Sequence, residues 1–269
     1  MTAIATTPAT NGSDDRAYIR RLMDDRKAVF LIGDSGTGKS YEVEQYALSN
    51  DLTLSDYQGH DGLTFDDLCG RWIPCEGGGY RWVLGDLALR VRDGGLCLID
   101  EAPACPASTL MALNKLANGQ ALTVVGPAET LHIQPHKDFV LALTGNPWKR
   151  YAGNAEMNPA LLDRTYIIRV DYLPAHEEIE AVLKHQTVDR DILKELVQFA
   201  GEARLMRHQR ASKSAPITTR TLIHMAYLIE AHGLSPMDAI RRTAVATAAL
   251  FSDNEATAIT TLASSRFGA

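Results

Sequence analysis

The chain lacks most of what marks a membrane, secreted or nucleic-acid-binding protein. No apolar run in its 269 residues approaches the roughly 20 that a membrane-spanning helix needs, so no membrane contact is expected. The four cysteines (Cys69, Cys75, Cys97, Cys105) include no Cys-x-x-Cys pair and read as reduced thiols rather than a disulfide framework. None of the eight histidines clusters with those cysteines, so no protein-built metal site is expected. Basic charge is not in excess either. With 27 Lys and Arg against 33 Asp and Glu, the net charge of −6 has the wrong sign for a dedicated nucleic-acid binder. Met1–Ser13 has neither the basic start nor the apolar stretch of a secretory signal, and reads as a short disordered lead-in. The cytoplasm is the expected compartment.

What remains is ordinary globular sequence, 45% hydrophobic and 22% charged, in two textures. Residues 14–172 alternate short apolar runs with helical patterns, which predicts a parallel sheet flanked by helices. The strands are expected at Ala28–Ile32, Leu52–Tyr57, Leu96–Ile99, Phe139–Leu143 and Tyr166–Val170, and the helices between them near Lys39, Asp61, Leu84 and Pro106. From residue 173 onward the pattern is helical throughout, with Ile179, Val182 and Leu183 and then Ile192, Leu196 and Phe199 at three- and four-residue spacing. A large α/β domain (14–172) and a small helical lid (173–269) follow, hinged near Tyr172–Pro174. Two stretches interrupt the α/β pattern. Both 71–83, around Gly77-Gly78-Gly79, and 121–133, around Gly126-Pro127, read as β-hairpins.

Three strand ends carry chemistry. Gly33-Asp34-Ser35-Gly36-Thr37-Gly38-Lys39-Ser40 follows the apolar run Ala28–Ile32 and precedes a helical pattern, the setting a phosphate-binding loop requires. Its glycines let backbone N–H groups curl around phosphate oxygens at a helix N-terminus. Lys39 would bridge the β- and γ-phosphates of ATP, and the Ser40 hydroxyl would ligate Mg²⁺. Leu96–Ile99 ends in Asp100-Glu101, at the sheet edge where ligands bind in open α/β proteins. Asp100 would hold the Mg²⁺ shell through water, and Glu101 would polarise the attacking water. Phe139–Leu143 leads through Thr144-Gly145 to Asn146. If its strand neighbours Leu96–Ile99, this amide lies beside the γ-phosphate; otherwise it is a turn residue before Pro147.

The order of these motifs, with Asn158-Pro159-Ala160-Leu161-Leu162-Asp163-Arg164 after them, resembles the MoxR branch of AAA+ ATPases. Within that branch the chain looks most like the CbbQ/NorQ group, over roughly residues 25–235. Asp67-Leu68-Cys69-Gly70-Arg71 is similar to the segment that opens this clade's helix-2 insert, and 121–133 to its pre-sensor-1 hairpin. The Tyr172-Leu173-Pro174 junction is also similar to that of the cobaltochelatase ATPase subunit. The resemblance implies an ATP-hydrolysing hexameric ring with both hairpins facing its pore. It makes Asn146 the sensor-1 residue, Arg164 the arginine finger that reaches the neighbouring subunit's site, and Arg220 the sensor-2 arginine; Arg150 is a second finger candidate. One departure stands out: Asp34-Ser35 occupies positions where many such loops carry Pro or Gly-Pro, so Asp34 is expected to point outward.

The implied activity is remodelling of a target enzyme, together with a separately encoded von Willebrand factor A domain partner. Rubisco activation and metalloenzyme maturation are the family's examples. Trp72, Tyr80 and Trp82 are candidate pore or partner contacts, or else packing against a neighbouring subunit. The alternatives are the ATPase subunit of a metal-chelatase complex, a nucleotide-gated binding module without turnover, and a nucleic-acid motor, against which the acidic balance argues.

Overall fold

The computed structural model describes residues 12–146, 157–210, 212 and 215–268, with side chains from residue 15. By its contacts the chain falls into two units: Asp14–Gly33 with Gly38–Val170, and Asp34–Thr37 with Asp171 onward.

The first unit runs α1 (Gly12–Asp24), β1 (Val29–Ile32), α2 (Lys39–Ser49), β2 (Leu54–Gln58), α3 (Phe65–Cys69), β3 (Gly70–Pro74), β4 (Tyr80–Leu84), α4 (Asp86–Asp93) and β5 (Gly95–Asp100). It continues with a 3₁₀ turn at Ala102–Ala104, α5 (Ala107–Ala112), α6 (Asn114–Ala117), β6 (Leu122–Val125), β7 (Thr130–Ile133), β8 (Phe139–Gly145), α7 (Pro159–Leu162) and β9 (Tyr166–Arg169). Five strands form one parallel sheet in the order β2-β5-β8-β1-β9.

The continuous apolar runs of β1, β5 and β8 follow from that position, because a central parallel strand is buried on both faces. Alternate residues feed two separate cores. Phe30, Cys97, Ile99, Leu141 and Leu143 pack on one side, with α3, α4 and the helices after β5. Val29, Leu31, Leu96, Leu98, Val140 and Ala142 pack on the other, with α1 and α2. The interleaved order puts the carboxyl ends of β5, β8 and β1 side by side. Asp100, Asn146 and the phosphate loop therefore leave the sheet as neighbours.

Some boundaries differ from the sequence reading. The helix expected near Asp61 starts later, at a Thr64/Asp67 capping box, where side chain and backbone satisfy each other reciprocally. The one expected near Leu84 starts at Asp86, because Leu84 still pairs with Gly70 in a hairpin. Helix α1 was not anticipated and takes in Gly12 and Ser13 from the supposed lead-in; Met1–Asn11 lie outside the described residues.

Both inserts are two-stranded antiparallel hairpins, β3–β4 and β6–β7. They are tied into the core through Leu122 and Val124 and through Trp82. A Cβ at Gly70 would come within 2.3 Å of the Trp82 ring, and one at Gly126 within 3.7 Å, so this indole lies against backbone of both hairpins.

The second unit is helical: α8 (Ala175–Leu183), α9 (Arg190–Gln209), α10 (Thr219–His232), α11 (Pro236–Ile240), a π-helical stretch Arg241–Val245, α12 (Ala246–Ala249) and α13 (Asp253–Phe267). Its starts and stops follow local chemistry. Asp189 and Thr218 cap α9 and α10, Gly233 ends α10 in the left-handed region (φ 62°), and Ser235-Pro236 opens α11. Its core gathers Val182, Leu193, Leu196, Phe199, Leu222 and Met225 with residues of the later helices.

Candidate active site

The loop after β1 turns through Gly36 (φ 73°) and Gly38 (φ 82°), conformations open to glycine without strain. It delivers Lys39 and Ser40 to the N-terminus of the eleven-residue α2. Lys39 is nearly buried. Its Nζ donates to the Gly33 carbonyl at 3.0 Å and to Asn146 Oδ1 at 3.0 Å. Asn146 Nδ2 in turn donates to Glu101 Oε1 at 2.5 Å. Beside this chain, Ser40 Oγ donates to Asp100 Oδ1 at 2.6 Å. The structure thus brings Lys39, Ser40, Asp100, Glu101 and Asn146 to one place.

Sequence reasoning missed Thr144. This wholly buried hydroxyl donates to Asp100 Oδ1 and accepts the Glu101 N–H at 3.1 Å, so it fixes both acids. The only signal was its place between an apolar run and Gly145. Glu101 itself adopts a left-handed backbone (φ 54°), a strained state for a non-glycine residue of the kind found at functional sites. The chain passes it closely: the Gly59 N–H donates to the Asp100 carbonyl at 2.7 Å, and a Cβ at Gly59 would lie 2.4 Å from the Glu101 carbonyl oxygen.

Burial raises the Glu101 pKa, opposed by the Lys39 ammonium and reinforced by Asp100. Burial and the Asp100 charge likewise raise Asp56. Glu44 is raised by burial, then by Asp56 and Asp100. Negative charge is therefore concentrated on the Ser40 side of the site, where a divalent cation would relieve it. The donor set fits a magnesium nucleotide: ammonium, hydroxyl and helix N-terminus for the phosphates, and a serine–aspartate pair for the metal.

Behind the loop, α1 braces α2. Arg16 Nη1 and Arg20 Nε reach the buried Glu42 carboxylate at 3.1 and 2.6 Å. A Cβ at Gly38 would stand 3.5 Å from the Arg16 guanidinium. No sequence pattern links these positions.

Residues 28–165 match the family model of the AAA domain, dynein-related subfamily, and residues 178–265 match that of the CbbQ/NirQ/NorQ C-terminal region. The chain belongs to the CbbQ/NirQ/NorQ family of MoxR-branch AAA+ ATPases. It is 32% identical to the denitrification regulatory protein NirQ of Pseudomonas aeruginosa, over 85% of each chain. It is 28% identical to the gas vesicle ATPase GvpN of Haloferax mediterranei, over 84% of this chain and 67% of that one. The crystal structure of a candidate ATPase from Cytophaga hutchinsonii shares the fold, with a TM-score of 0.50 at 18% identity over 93% of this chain and 83% of the other. As an AAA+ ATPase this protein binds and hydrolyses ATP.

The arginines of this AAA+ ATPase stand differently from the core cluster. Arg164 is exposed. Its Nη1 donates to the Ala160 carbonyl at 2.6 Å, and among the described residues it forms no ion pair with Asp163. Arg220 is exposed in the first turn of α10. Arg150 lies outside the described residues. Trp72 and Tyr80 are exposed on β3 and β4, but Trp82 is half-buried and packed, which removes it from the free aromatic surface. Asp34 does not simply face outward: its carboxylate pairs with Arg207, a residue the sequence reading did not single out.

Proposed function

We propose that the chain works as a hexameric, magnesium-dependent ring motor that remodels a target enzyme with a von Willebrand factor A domain partner, in the cytoplasm. The Lys39–Asn146–Glu101 chain beside the Ser40–Asp100 pair carries the reading. Lys39 and the loop N–H groups would hold the phosphates, and Ser40 and Asp100 would hold the metal. Bound Mg²⁺ would neutralise charge on the phosphate oxygens. Glu101, its pKa raised by burial, polarises the attacking water, and Asn146 orients it.

Arg164 is the finger. An exposed guanidinium with no ion pair among the described residues is available to a neighbouring subunit, and such a cation is worth about 10³–10⁵ in turnover among related NTPases. Arg220 acts as a second nucleotide-sensing cation from the start of α10. Trp72 and Tyr80 grip the partner or target. The likeness to the denitrification regulatory protein NirQ favours an enzyme of denitrification as the target.

The test is ATPase assay and native mass measurement of the purified protein, with and without ATP and with candidate von Willebrand factor A domain proteins. Hexamers with partner-stimulated turnover are expected. Turnover by a monomer, indifferent to every such partner, would remove the ring reading. Stimulation by a chelatase catalytic subunit alone would replace the target.

A further inference from the structure

Asp34 is the unusual residue of the loop, since a carboxylate at its second position would stand close to the phosphates it serves to hold. Its own unit supplies the answer. Arg207 Nη1, on the last turn of the twenty-residue α9, lies 3.2 Å from Asp34 Oδ2. The Arg207 side chain is only 9% exposed, so this guanidinium is spent in the interior rather than on solvent.

The residues next to Asp34 are fixed by the same unit. Tyr172 Oη donates to the Ser35 carbonyl at 2.8 Å, and a Cβ at Gly36 would fall 2.4 Å from that of Thr218. Tyr172 is itself held, because the Arg204 guanidinium lies 3.7 Å from its ring centroid. Arg204 forks onto Glu178 with two 2.8 Å bonds, and Thr219 Oγ1 donates to the same carboxylate at 2.6 Å. Arg207 thus meets Asp34 within a framework whose other members have little freedom.

We propose that Arg207 is a positioning residue for nucleotide binding: it cancels the Asp34 charge and turns that carboxylate away from the phosphates. This rests on the reading of Gly33–Ser40 as the phosphate loop. Without the Arg207 charge beside it, a carboxylate at that position repels a triphosphate, and repels it more than a diphosphate, because the terminal group adds charge. The two residues are 173 positions apart, so the pair is a property of the fold and not of the loop motif.

Titration of ATP and ADP by calorimetry, on wild type, Arg207→Ala, Asp34→Asn and the double variant, decides the matter. Arg207→Ala weakens ATP binding on the order of tenfold, and ADP binding less. Asp34→Asn alone binds at least as tightly as wild type. The double variant returns to within about twofold of Asp34→Asn, as expected when removing a charge also removes the need for its partner. That rescue separates charge cancellation from a merely structural role. Wild-type affinity in Arg207→Ala, or a loss that persists undiminished in the double variant, overturns the proposal. Should Arg207→Ala lose its melting transition, Arg207→Met keeps the length without the charge and is read by the same comparison. Lys39→Ala serves as control: unchanged ATP binding in that variant would sink the phosphate-loop reading itself.

Discussion

Lys39 Nζ stands 3.0 Å from Asn146 Oδ1, 107 positions later in the chain. The ammonium that would meet the phosphates and the amide that would orient water are thus already joined, and the amide's other end holds Glu101. Each member of that chain has its own expected signature.

Lys39→Ala removes the cation under the loop, and ATP binding is expected to disappear in a fluorescent-nucleotide titration. Glu101→Gln keeps the shape and loses the carboxylate, so it should bind ATP normally while turnover falls about 10²-fold or more. Equal loss of binding in both would mean that Glu101 serves the loop's structure and not the water.

Asn146→Ala leaves Lys39 and Glu101 in place but unbridged. Turnover is expected to fall on the order of 10–100-fold, with ATP affinity changed by less than about threefold. Single-turnover kinetics separate the two quantities.

Arg164→Ala should spare nucleotide binding and abolish turnover. Mixed with Lys39→Ala protein, it should regain part of the activity, because some subunit pairs then combine an intact loop with an intact finger. Wild-type turnover in Arg164→Ala alone rules out the finger assignment.

The hairpin aromatics divide by burial. Trp82→Ala opens a gap between the two hairpins and should cost about 2–3 kcal/mol, less than the 3–5 of a fully buried indole. Trp72→Ala and Tyr80→Ala should leave the melting temperature unchanged and reduce only partner-stimulated turnover. A thermal melt and a stimulated ATPase assay check both halves.

Glu178 is 1% exposed and accepts from Arg204 and Thr219. Glu178→Gln leaves the Arg204 guanidinium without its counter-charge, and a loss of about 3–5 kcal/mol is expected from chemical denaturation. A smaller loss would mean that the Arg204 contacts with Tyr172 and the Ile217 carbonyl are enough to hold it.

Much of this was legible in the sequence, for a physical reason. The strands that carry the site, β1, β5 and β8, are central, so their apolar runs are unbroken and each ends abruptly in polar residues. Edge strands gave blurred limits: β2 alternates Leu54, Ser55 and Asp56, and its start was misplaced by two residues. The hairpins were visible because glycine turns separate aromatic and β-branched flanks. Helix α1 was not, although Ile19, Leu22 and Met23 have helical spacing, because their neighbours are nearly all charged. The partners of Glu42 and Asp34 were invisible in principle. An arginine that crosses the fold to a carboxylate leaves no local pattern, and only the tertiary structure says which of the chain's many arginines it is.

Strand β8 is laced to β5 through Phe139–Leu143 on one side and to β1 through Ala142–Gly145 on the other. Sliding it by a single position would break both ladders and exchange every buried side chain between the two cores. The spacing of Asn146, Thr144 and the two acids is therefore as stiff as the middle of the sheet. Whatever throttles this ATPase must do so by bringing or withdrawing other groups, since the centre itself has nowhere to go.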